Sequence, residues 1–310
     1  MKKLLLAFTA LAGMAMGACS TDVEDTTQLV NYPTCNLVSS PVTGKAFAEP
    51  GTYKFFFNLS QGRVSISTDD LELNTKSNSF VTDTVPYLSY VVRTEGGAGS
   101  IHVIKNAEGV LNRDKSVPVK VSSFMITSCF NYNATSVPGL TVQQNPYPRV
   151  LGQYTIGGEW EVRTFSDDAF YSGTTDTSYK DRDGADKTYS TTSMTYRAVI
   201  DLQKEKATIV IYNAKFSDSD KEPVKKLIIL NDLDVEWGHG RYTIKGENIV
   251  PSTVENNQAV PNPNFVFDTF CLETVSNDLN KVKIDYKVAG VYSGSFEGIY
   301  VMEDPSVEKN

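Results

Sequence analysis

The residue pattern predicts an all-β protein made of two tandem, related antiparallel β modules, each a sandwich or a barrel. Three observations carry this. Short runs of β-branched and aromatic residues recur along the chain and are cut by Gly, Pro, Asn and Asp, which is how strands and turns alternate in sequence. No stretch keeps the apolar spacing of a long amphipathic helix. The second half also repeats blocks of the first in the same order.

In the first half the strands read as 53–59, 63–67, 87–92, 101–105 and 119–130. In the second they read as 154–164, 195–202, 207–212, 242–245, 264–272 and 282–288. Between 221 and 233, Pro223 predicts a loop and then a strand. Within 119–130, Met125, Thr127 and Cys129 share one face, and Phe124, Ile126 and Phe130 the other. Apolar residues on both faces predict a strand buried on both sides.

The repeat rests on four blocks. Tyr53 to Leu59 matches Tyr196 to Leu202 at an offset of 143, and Glu95 to Gly99 matches Glu236 to Gly240 at 141. Ile104-Lys105 matches Ile244-Lys245 at 140, and Thr127-Ser128-Cys129 matches Thr269-Phe270-Cys271 at 142. Four blocks in order at nearly one offset predict a duplicated unit. Pro138, Pro146 and Pro148 suit a stiff connector between the halves. The chain then divides into 1–18, a tether 19–28, module one 29–147, module two 148–305 and a tail 306–310. Module two carries extra length near 165–191, rich in Asp, Ser, Thr and Gly, and loop insertions of this kind are where function is often placed.

The chain starts with Met1-Lys2-Lys3, followed by an uncharged run from Leu4 to Ala18. A positive start and an apolar run too short to span a bilayer make a signal peptide. The run closes on Met16-Gly17-Ala18-Cys19, which resembles the lipobox of bacterial lipoproteins, with Met16 where that family usually has Leu. The resemblance implies cleavage before Cys19, lipidation of Cys19, and a membrane anchor through that lipid. Next come Ser20-Thr21-Asp22-Val23-Glu24-Asp25. This acidic cluster resembles the surface-export signal of Bacteroidota lipoproteins and implies an outer-membrane protein facing the cell exterior.

Net charge is −8, from 29 Lys and Arg against 37 Asp and Glu. Without residues 1–18, which hold two lysines and no acid, it becomes −10 (−8 less those two charges). Such a surface repels nucleic acid. Gly158-Glu159-Trp160 resembles the Gly-x-Trp start of lipocalin-like barrels, which implies that this family's barrel opens module two; the competing reading makes Trp160 a sandwich-core residue.

Candidate sites are few. Asp181, Asp183 and Asp186 surround Gly184 in the insertion, with Asp176 nearby. Clustered oxygen ligands on a turn suit Ca²⁺, although the spacing departs from an EF-hand; the alternative is a solvated loop tip. Cys35 and Cys129 could form a disulfide in module one, while the Cys129–Cys271 match points to small core residues. His102 and His239 are isolated and build no zinc site alone. No nucleophile elbow, P-loop or zinc-protease motif is present.

These features predict a non-enzymatic surface binding module for an extracellular glycan, peptide or small apolar ligand. The alternative is a structural subunit of a surface fibre or envelope assembly. Donor-strand assembly of that kind needs an open sheet edge and cleavage at a site such as Arg149. A glycan-active enzyme using two carboxylates is the remaining reading. The anchor is directly testable: Cys19→Ala should abolish lipid labelling and release the protein from membranes, and retention of the variant in the outer membrane would refute lipidation at Cys19.

Overall fold

The computed structural model describes residues 27–301 apart from 74–75, 95–96, 128–148, 167, 203, 220–224, 239–240, 257 and 276–277. Cys19, Cys129 and His239, together with the tail, lie outside the described residues. The described chain is almost wholly β strand. In order the strands are β1 (Thr27–Ser39), β2 (Ala46–Asn58), β3 (Arg63–Leu73), β4 (Lys76–Thr82), β5 (Val85–Thr94), β6 (Gly97–Leu111), β7 (Pro118–Thr127), β8 (Arg149–Ile156) and β9 (Trp160–Phe165). There follow β10 (Asp168–Lys180), β11 (Asp186–Thr191), β12 (Thr195–Asp201), β13 (Lys206–Ala214), β14 (Lys225–Gly238), β15 (Arg241–Ile249), β16 (Ser252–Glu255) and β17 (Gln258–Pro261). A 3₁₀ turn (Pro263–Phe265) precedes β18 (Phe267–Val275), β19 (Asp278–Val288) and β20 (Tyr292–Val301).

The first nine strands form one sheet, and β2–β3 and β1–β9 pairings close it on itself. Both β4 and β5 are antiparallel to β3 and to β6, so they run end to end as one stave. Nine strands therefore make eight staves, each paired with its neighbours in the chain. This is an up-and-down barrel, and the sandwich alternative is excluded. The second sheet closes in the same way through β13–β14 and β10–β20 pairings. Its eight staves are β10, β12, β13, β14, β15, β18, β19 and β20, while β11 and the β16–β17 hairpin extend it beyond the ring.

The two barrels share their register. Tyr32 faces Tyr53 as Tyr171 faces Tyr196. Phe55 faces Ile66 as Ala198 faces Ile209. Tyr87–Ile104–Phe124 corresponds to Val235–Ile244–Leu272. Tyr154–Val162–Val38 corresponds to Tyr286–Gly294–Thr177. A matching register around a closed ring gives both barrels the same stagger. The repeat is thus a repeat of the whole barrel.

This geometry corrects several expectations. The boundary falls after Ser166 and not at 147/148, because β8 and β9 are needed to close the first ring. The proline-rich stretch joins the sixth and seventh staves of one barrel. Residues 168–172 of the expected insertion are the first stave of the second barrel, where they pair with β12. Thr127-Ser128-Cys129 matches the correct stave but the wrong level. Thr127 pairs with Ile101, three residues before Ile104, whereas Thr269 pairs with Glu247, three residues after Ile244. Cys271, paired with Lys245, therefore corresponds to Ser123, paired with Lys105. The acidic tether is shorter than expected, since β1 already begins at Thr27.

Each barrel is filled by side chains. In the first, Tyr53, Phe55, Phe57, Phe80, Phe124 and Tyr154 are buried with Trp160 and aliphatic neighbours. An eight-stave barrel is just wide enough for such filling. Gly158 serves the β8–β9 turn: Gly157 and Gly158 both have positive φ (61° and 71°), as a primed hairpin turn requires. The Gly-x-Trp feature therefore sits in the last hairpin of barrel one and does not open module two. His102 points into barrel one, its ring 5.1 Å from Phe57 and 5.4 Å from Tyr87. Burial lowers its pKa.

Tyrosines dominate the buried polar groups. The Tyr53 hydroxyl donates to Asn36 Oδ1 at 2.9 Å and lies 2.7 Å from the Tyr154 hydroxyl. In barrel two, Tyr171 and Tyr242 meet at 2.6 Å. On the outer wall of barrel two, Asp168 takes two bonds from Arg197, at 2.8 and 2.6 Å, with both side chains buried and the guanidinium 5.0 Å from the Phe170 ring. Burial works against the arginine charge, but Asp168 outweighs it and holds the pKa above the ordinary value. Removing one partner of such a pair costs about 3–5 kcal/mol.

The buried phenols set an alkaline limit. Burial raises Tyr286 from 10.0 to about 12 and pushes Tyr171 and Tyr196 well up. The folded state favours the neutral phenol, so its contribution is intact below the unfolded value of 10.0 and is lost as pH rises through about 12. Tyrosinate absorbance should therefore rise in two stages. Exposed phenols ionise first, and the buried set ionises together with loss of circular dichroism. A single smooth titration on folded protein would contradict the burial of these rings.

Candidate functional site

The connections of barrel two are unevenly distributed. At one end they are short, spanning 202–205, 239–240 and 276–277. At the other they include the β10–β11 hairpin, residues 215–224, and residues 250–266 with the β16–β17 hairpin. A rigid barrel that collects its long connections at one end presents them as a surface. This end is the candidate site.

Its floor is a stopper. Phe216, in the loop after β13, is fully buried. Its ring lies 5.7 Å from Phe265, 5.7 Å from Tyr292, 5.8 Å from Tyr286 and 6.2 Å from Phe267. Below it, the buried hydroxyls of Thr175, Thr177, Tyr196 and Tyr286 face one another. The stopper seals these groups from solvent.

Above the stopper stands a wall. Strand β10 continues past its pairing with β12, and β20 and β11 flank it there. Alternation along β10 buries Thr175 and Thr177 and exposes Asp176 and Ser178. Tyr179 and Tyr292 continue the inward row, with rings 5.8 Å apart, and both are half-buried. The Tyr179 hydroxyl donates to the Asp218 carboxylate, a bond that raises the phenol's pKa. Lys215 Nζ lies 5.8 Å from the half-buried Tyr189 ring. The mouth thus offers three partly open tyrosine faces beside a carboxylate and an ammonium.

The outer side of the same wall bounds a trough of about 510 Å³, lined by Asp176, Ser178, Thr188, Asp285, Lys287 and Ser295 among others. Cys271 also borders it. Burial raises that thiol's pKa, and the Glu273 and Asp285 carboxylates add to the effect. A protonated thiol is a poor nucleophile.

The Asp181 loop forms the tip of the β10–β11 hairpin. Asp181 Oδ1 accepts from the backbone N–H of Asp183 (3.0 Å) and of Ala185 (2.9 Å), closing the turn, and Gly184 has φ +80°. Lys180 pairs with Asp186 at 2.8 Å and Lys187 with Asp181 at 3.7 Å. Among the described residues no group of three or more His, Cys, Asp or Glu side chains is placed to hold an ion. Cys35 is buried on β1, and its expected partner Cys129 lies outside the described residues. The tyrosines of the mouth went unnoticed in the sequence. Tyr179 and Tyr189 read as parts of a polar insertion, and Tyr292 stands among glycines and serines.

No protein-family model matches the sequence, and no curated protein matches it. Among solved structures, a mutant of the vaccine antigen transferrin binding protein B from Haemophilus parasuis is similar at 7% identity. The match covers 88% of this chain and 76% of that one, with a TM-score of 0.24. That likeness is too slight to support a conclusion.

The Asp181 loop yields a test. The carboxylates of Asp181 and Asp186 are engaged by lysines, and that of Asp181 also closes the turn, so melting curves in EDTA and in millimolar Ca²⁺ should coincide. A rise in melting temperature with Ca²⁺, lost in Asp183→Asn, would restore the ion site.

Proposed function

We propose that this chain is a lipoprotein of the outer membrane, exposed at the cell surface, that binds an extracellular glycan at the elaborated end of its second barrel without catalysis. The observation that carries the reading is the mouth itself, with tyrosines 179, 189 and 292 raised over a sealed barrel. Aromatic faces stack on the C–H faces of sugars, and flanking Asp218 and Lys215 supply the few directed polar contacts that a ligand site needs. The packed interiors and the Phe216 stopper weigh against a small apolar ligand inside either barrel. Closure of both rings weighs against a fibre subunit, because donor-strand exchange requires an open sheet edge. The raised thiol of Cys271 and the paired carboxylates favour binding over catalysis.

The test is a panel of extracellular polysaccharides and oligosaccharides titrated against the protein. A glycan on the panel should bind with a Kd below millimolar. Tyr179→Ala and Tyr189→Ala should each weaken it about tenfold, roughly 1.4 kcal/mol, with the melting temperature unchanged. Binding that survives both substitutions would move the site elsewhere. Turnover of the glycan would overturn the non-enzymatic reading.

A further inference from the structure

The outer wall of the first barrel carries an apolar patch. Leu88 and Tyr90 on β5 are 57% and 52% exposed, on the face opposite to the inward Tyr87. Their register partners continue it. Leu88 faces Val103 on β6, Val103 faces Met125 on β7, and Met125 faces Leu151 on β8, while Tyr90 faces Ile101. These four partners are half-buried. Around the rim, Phe56 and Leu59 are 37% and 41% exposed. Inward burial of Phe124 and Ile126 leaves Met125 on the outside, so β7 is covered on one side only, contrary to the two-sided burial expected from sequence.

The patch has a location as well as a composition. It lies where β2, β5 and β7 end and where β3, β6 and β8 begin. Strand β1 starts at that same end, at Thr27. Eight residue steps separate Thr27 from Cys19, and fully extended they reach about 29 Å. A ten-residue stave is itself roughly 33 Å long. A lipid on Cys19 therefore keeps this end of the barrel, and the patch on it, within about one barrel length of the bilayer. Contiguous exposed apolar surface marks a contact site, and tyrosine suits the headgroup level of a membrane. Tethering makes the contact intramolecular, so even weak affinity fills it.

We infer that this patch docks the first barrel on the lipid surface that holds Cys19, with Leu88 and Tyr90 entering the headgroup region. The inference rests on the lipoprotein reading, and the two can fail separately. The full-length lipidated protein is reconstituted into phosphatidylethanolamine–phosphatidylglycerol vesicles with brominated acyl chains. Flotation reads the anchor, and quenching of an introduced tryptophan reads the docking. Tyr90→Trp should lose half or more of its added emission. Val42→Trp, 75% exposed in the turn at the opposite end, should lose none. Adding Leu88→Glu to Tyr90→Trp should abolish the quenching while the protein still floats. Flotation with equal emission from Tyr90→Trp and Val42→Trp would overturn docking and leave the anchor standing. No flotation would overturn both. Flotation without quenching, accompanied by a concentration-dependent dimer, would assign the patch to a second copy and also overturn the inference.

Discussion

The hydrogen bond between Tyr53 and Tyr154 crosses the inside of the first barrel from its second stave to its seventh. Because Tyr53 donates to Asn36 on the first stave, Tyr154 is the donor to Tyr53 in the 2.7 Å contact. Three staves are thereby joined by one chain of hydrogen bonds in a dry interior, where an unpaired hydroxyl would cost about 1–3 kcal/mol. The lock also fixes register, because a one-residue slip of any stave would turn its tyrosine to solvent. Closure at a single stagger, filling by side chains and the direction of every loop follow from that register.

The second barrel keeps the register and alters the lock. Tyr196 and Tyr286 stand where Tyr53 and Tyr154 do, but Thr175 and Thr177 replace Asn36 and Val38. A further tyrosine pair, Tyr171 and Tyr242, is joined at 2.6 Å. The seventh-stave ring needs Gly294 beside it, since a Cβ there would lie 2.1 Å from the Tyr286 ring. The interior is closed by Phe216, and the aromatic surface that remains accessible is the wall above it. The two barrels thus share a scaffold and differ in surface, one carrying an apolar outer flank and the other an aromatic mouth.

Much of this was legible in the residues. The all-β class, most of the strands in the first half, and the duplication followed from alternation and from the spacing of turn residues. Strands β10 and β20 were missed for a physical reason. Gly173, Gly294 and Gly298 lower strand propensity, yet they are where a ring or another backbone comes close. A Cβ on Gly173 would lie 2.1 Å from the Glu297 carbonyl oxygen, and one on Gly298 would lie 2.2 Å from the Phe296 ring. Trp160 was read as the start of a module because a hairpin turn and a barrel entry share the same Gly-x-Trp letters.

The sequence by itself determined the class of fold, its duplication, the acidic surface and the resemblance to a lipoprotein precursor at Cys19. These are properties of local composition and order, which need no knowledge of what packs against what. Only the tertiary structure decided sandwich against barrel, the boundary after Ser166, and the gathering of Tyr179, Tyr189 and Tyr292 at one mouth. Ring closure is a pairing of strands distant in sequence, such as β1 with β9 and β10 with β20. Alternation within a strand shows which residues share a face, but it carries no information about which other strand will lie beside it.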